Sequence, residues 1–129
     1  SAVEREAGRQ RRRVAAFVEV NLALEPSKHG FAPADLSSQR ELFESAENLD
    51  LLGLMAIPPP GVDSEASRPW FRRLAELRDQ IGASQRWPGF VGALSMGMSD
   101  DFEVAIEEGS THVRVGTSLF GSRPTSASP

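Results

Sequence analysis

Apolar positions fall into four short runs, and stretches of helical period separate them. The first run covers 14–24. Val18, Val20, Leu22 and Leu24 share one side of an extended chain, and Phe17, Glu19, Asn21 and Ala23 share the other. The first side is wholly apolar and suits packing against helices. The second carries two polar groups and suits a barrel lumen or the top of a sheet. The second run, 51–57, is continuously apolar, as expected of a strand covered on both faces, and Pro58, Pro59 and Pro60 end it. A third strand is expected over 90–96 and a fourth over 111–117.

Helical signals fill the gaps. Residues 3–13 are charged and suit a helix. A second helix is expected after Gly30, with Pro33 near its start, Asp35 in its first turn and Leu36, Phe43, Ala46 and Leu49 as its buried stripe. A third covers 68–81, with Phe71, Leu74, Leu77 and Ile81 inward and Gly82 as the stop. The last opens at Ser99 as N-cap, buries Phe102, Ala105 and Ile106, and ends at Gly109. Strands alternating with helices predict an α/β fold on a parallel sheet.

Composition narrows the chemistry. At 129 residues, 40% hydrophobic and 25% charged, the chain suits one soluble domain, and it has no apolar run long enough to cross a bilayer. A net charge of −4 argues against nucleic acid as a partner. The basic cluster around Arg9 reads as a solvated helix end. Cysteine is absent, which fits a reducing compartment, and tyrosine is absent too. There is one lysine, Lys28, in a loop beside Glu25 and His29. His29 and His112 have no metal-ligand spacing between them.

In a parallel α/β fold, ligands sit at the C-terminal ends of the strands. Asn21, Met55, Ser95 to Ser99, Gly116 and Thr117 fall there. The last two strands end in Ser-Met-Gly-Met-Ser and Gly-Thr. Glycine admits close backbone approach and the hydroxyls can donate, so the pair suits a phosphate, although ordinary turn chemistry would use the same residues. Arg114 lies inside an apolar strand. Facing a lumen, it would need an acceptor; at an edge it could point to solvent.

With these residues in view, the chain resembles the pyridoxal phosphate homeostasis protein family. The matching stretches are Val20-Asn-Leu-Ala-Leu-Glu-Pro-Ser-Lys-His-Gly-Phe31, Gly53-Leu-Met-Ala-Ile-Pro58, Phe71-Arg-Arg-Leu-Ala-Glu-Leu77 and, most specifically, Leu94-Ser-Met-Gly-Met-Ser-Asp-Asp101, Ala105-Ile-Glu-Glu-Gly-Ser-Thr111 and Val113-Arg-Val-Gly-Thr117. The resemblance implies an α/β fold, the C-terminal half of a TIM (β/α)8 barrel of the alanine racemase N-terminal type. Strands 5–8 would lie within 1–121 and a disordered tail at 122–129. It implies pyridoxal 5'-phosphate as cofactor. Ser95, Gly116 and Thr117 would hold the phosphate, Arg114 would face the ring nitrogen, and Asn21 and Met55 would line the lumen.

The family's Schiff-base lysine lies on the first barrel strand, which has no counterpart here, and Lys28 matches a later loop instead. The expected role is therefore cytoplasmic cofactor storage and transfer without substrate turnover, with at most weak, noncovalent binding of phosphate or the cofactor by this chain. The expected partners are a missing N-terminal half-barrel or a second copy, and no nucleic acid or membrane. The alternatives are a fragment of a racemase-like enzyme and a generic phosphate-binding half-barrel.

Overall fold

A computed structural model of the chain describes residues 2–10, 13–26, 29–59, 61 and 63–114. Helix α1 (Ala2–Arg9) leads into strand β1 (Val14–Glu19). Two short helices, α2 (Asp35–Ser38) and α3 (Arg40–Glu44), precede β2 (Leu49–Met55). A 3-10 turn at Ser64–Ser67 runs into α4 (Arg68–Ser84). Strand β3 (Ala93–Met98), helix α5 (Phe102–Glu107) and strand β4 (His112–Arg114) follow. The four strands form one parallel sheet in the order β1-β2-β3-β4. Each crossover carries helix, so the sheet is the α/β arrangement that the alternation predicts.

One side of the sheet carries the core. Val18, Leu54, Leu94 and Met96 pack with Phe71, Leu74, Leu77 and Ile81 from α4, the predicted stripe. Phe43 and Trp87 stack at 4.8 Å between ring centroids, with Phe31 and Phe90 edge-on to either side. The indole N–H of Trp87 donates to Gln85, whose own amide donates to the Leu36 carbonyl, so the buried polar groups there are satisfied.

Several expected boundaries move. The first strand ends at Glu19 rather than Leu24. Leu24 sits at φ 56° and is exposed, because the Asn21 side chain pairs with both the N–H and the C=O of Glu25 and turns the chain. The expected single helix after Gly30 is two, broken at Gln39 (φ −110°, ψ 29°), and Leu49 belongs to β2. Helix α4 runs past Gly82 to Ser84. Strand β3 is displaced toward Met98, so Phe90 lies in the preceding loop. Asp101, not Ser99, precedes α5, whose buried residues are Val104 and Ala105, with Ile106 exposed. β4 is described as far as Arg114, and the tail at 122–129 lies outside the described residues.

Candidate functional site

The register aligns Glu19, Met55, Ser95 and His112 across the four strands. In-register residues of a sheet share a face, so these four side chains form one row. In a flat sheet, β1 and β4 would stand about 14 Å apart, three steps of about 4.8 Å. The rings of Phe17 on β1 and His112 on β4 nevertheless meet edge to face at 5.1 Å. The sheet therefore curls, and its concave side carries Phe17, Glu19, Met55, Ser95 and His112. Arg114, two residues beyond His112, projects to the same side and pairs with Met98 across an irregularity in the β3–β4 register.

Arg114 is exposed, and among the described residues no carboxylate pairs with it. Ser95 is buried at mid-strand, 8% exposed, with Met55 half-buried beside it. Asn21 sits at the end of β1, with its side-chain amide committed to the Glu25 backbone. Gly116, Thr117 and Lys28 lie outside the described residues. Ser95, Met55 and Arg114 are therefore brought to one face, and Asn21 is occupied in holding its own loop.

A cleft of about 670 Å³ opens at the C-terminal ends of β2 and β3. Its lining includes Ile57, Ser67, Gly97, Met98 and Ser99 together with Asp63, Asp100 and Asp101, and none of Asn21, Met55, Ser95 and Arg114 lines it. Gly97 has φ +103°, and a side chain there would drive into Ala105 of α5 at 2.6 Å. Glycine thus lets α5 lie directly against the strand end. The Asp101 carboxylate accepts from the Met98 N–H (2.8 Å) and from the Ser67 hydroxyl (3.0 Å). Ser67 enters the site from a distant part of the chain, and no local motif marks it. Among the described residues, no cluster of three or more His, Cys, Asp or Glu could hold a metal ion.

The fold is shared with known proteins. Pyridoxal phosphate homeostasis proteins are similar in sequence: the Aquifex aeolicus protein is 50% identical over 110 residues, covering 83% of this chain and 46% of its own length. The human protein is 38% identical over 119 residues, covering 91% and 43%. The chain thus spans about half the length of the curated relatives it matches. Among solved structures, PipY of Synechococcus elongatus without PLP superposes with a TM-score of 0.84 at 32% identity, covering 93% of this chain and 55% of PipY. PipY with PLP bound gives a TM-score of 0.73 at the same identity, covering 92% and 54%. Residues 1–124 match the family described as alanine racemase, N-terminal domain. With its curled parallel sheet of β/α units, the chain is part of a TIM-type barrel and belongs to the alanine racemase N-terminal domain family.

Proposed function

We propose that the chain forms the phosphate and ring-nitrogen side of a pyridoxal 5'-phosphate site in a cytoplasmic protein that stores and transfers the cofactor. The observation that carries this reading is Arg114. It stands on the concave face of β4, unpaired among the described residues, beside Met98 at the end of β3. A guanidinium there attracts an acceptor. The described residues offer that half of the group a cation without a counter-ion and hydroxyls at Ser95 and Ser99. They contain no lysine, so they supply no covalent attachment.

Pyridoxal phosphate, when bound, supplies a ring that withdraws electrons from an attached amine. Arg114 would orient that ring and keep its nitrogen unprotonated, because two adjacent cations repel. An unprotonated ring is the weaker electron sink, which favours holding the cofactor over turning over amino acids. The relatives' homeostasis names and the PLP-bound PipY structure support the reading. Gly116 and Thr117 would complete the phosphate contacts, with Met55 against the ring and Asn21 shaping the rim.

The test is binding of pyridoxal phosphate and of pyridoxal to the chain, followed by 15N-resolved NMR. The phosphorylated form should bind more tightly, and Arg114→Gln should weaken it about ten-fold, the loss of one charge-assisted contact. Borohydride reduction should leave no specific adduct. Equal affinity for the two compounds, or a specific adduct on Lys28, would overturn the proposal.

A further inference from the structure

Resting on that reading, we infer that Phe17 and His112 form the floor of the ring pocket and limit how deep a flat aromatic ligand can enter. Alternate residues of a strand share a face, so Phe17 stands one step below Glu19 and His112 one step below Arg114, each set back from its strand end. These strands are the first and last of the sheet, yet the two rings meet, with centroids 5.1 Å apart and planes at 69°. A contact that spans the concave side at this depth closes it below. A group entering from the C-terminal ends, where Arg114 stands, therefore comes to rest on the pair. Phe17 is half-buried and His112 exposed, so the pair keeps free surface to receive it.

The His112 ring is held in place. Its Nδ1 lies 2.8 Å from the Thr111 hydroxyl oxygen, which also accepts from the Leu94 N–H at 2.9 Å and lies 3.1 Å from the Leu94 carbonyl oxygen. That hydroxyl has one proton, for Nδ1 or for the carbonyl. Either way Nδ1 is engaged, and the imidazole is tied to Leu94, a fully buried residue of β3. Ser95 points to a ligand independently of the rings. It lies in register beside His112 and is 8% exposed, and among the described residues its hydroxyl has no hydrogen-bond partner. A buried hydroxyl is costly until something completes it, so it calls for a polar ligand atom at the level of the floor. Two rings and one hydroxyl suit a flat ring that carries a polar substituent.

The experiment titrates the full chain and its variants with pyridoxal phosphate, pyridoxal and inorganic phosphate. His112→Gln keeps a polar partner for Thr111 and removes the ring, whereas His112→Phe keeps a ring and loses the polar partner. His112→Gln and Phe17→Leu should each weaken both pyridoxal compounds alike, by about three- to ten-fold, the worth of one aromatic contact, and leave inorganic phosphate unchanged. His112→Phe should bind the two ring compounds as the wild type does. Unchanged ring affinity in His112→Gln and Phe17→Leu, an equal loss for inorganic phosphate, or a loss in His112→Phe as large as in His112→Gln would each overturn the floor. A wild-type chain that binds pyridoxal phosphate no more tightly than inorganic phosphate would instead sink the cofactor reading itself. Should Phe17→Leu fail to fold, the two variants at the exposed His112 still decide.

Discussion

At the scale of single residues, close approach controls where the strand ends lie. The bulge in the β1–β2 register falls at Leu52, so Gly53 turns its missing side chain toward β3. A Cβ there would lie 1.8 Å from the Ala93 carbonyl oxygen. Backbone cannot yield as a flexible side chain can, so Gly53→Ala should destabilise by about 3 kcal/mol or more, the upper range for overpacking, read as a lowered urea midpoint. Wild-type stability in that variant would count against close β2–β3 approach as the reason for a glycine there. Asn21 teaches the opposite lesson about legibility. Its alternation with Phe17 and Glu19 marks it as a concave-face residue, but its side chain pairs with Glu25 and ends the strand. An Asn that can mimic a backbone partner competes with the ladder, and an apolar alternation continuing to Leu24 gives no sign of which will win.

At the scale of elements, what could be read depended on length. Helix α4 shows a four-residue stripe over 17 residues, and all four positions are buried. The stretch after Gly30 fits a helix equally well by spacing, since Leu36 and Phe43 lie two turns apart, but the chain breaks at Gln39 and both residues still reach the core. Periodicity fixes the buried side chains without fixing continuity between them. The ionic part of the contact between α4 and α5 was not legible, because charge spacing does not show which partners meet across the fold. Arg68 bonds Glu65, Glu107 and Glu108, while Arg72 also reaches Glu108. Arg72 and Arg68, through hydrogen bonds, hold the Glu108 carboxyl at about 2, against an ordinary 4.5. A depressed folded-state value means stability that is fully present above about pH 4.5 and lost as pH falls toward about 2. Thermal unfolding of Glu108→Gln should accordingly lose part of the wild-type pH dependence across that window. Parallel curves for the two proteins would count against the network. Added salt should blunt the difference, since Arg72 is largely exposed.

At the scale of the whole molecule, the curl of the sheet and its open edges decide behaviour. Four parallel strands cover half the circumference of an eight-stranded barrel, and among the described residues no strand lies beyond β1 or β4. The β1 edge is only partly protected. Near its C-terminal end, Phe31 forms a parallel bridge to Val20, donating to the Glu19 carbonyl and accepting from the Asn21 N–H. Among the described residues, no comparable bridge covers the earlier part of β1. An apolar groove of about 360 Å³ runs there, lined by Val3, Phe17, Leu42, Phe43 and Leu49 among others, with Val3 and Leu42 exposed. An uncapped strand edge beside apolar surface is a template for association. The chain should therefore show concentration-dependent mass in light scattering at micromolar levels, and Leu42→Lys, which places a charge in the groove, should shift it toward the monomer. A monodisperse monomer at all concentrations would mean that Phe31 and α1 protect the edge sufficiently. The same edge bears on the proposed cofactor site, because the concave face needs its far wall to exclude water. An occupied groove would lower the dielectric around the ligand proposed for Arg114, so cofactor affinity should rise with the associated fraction.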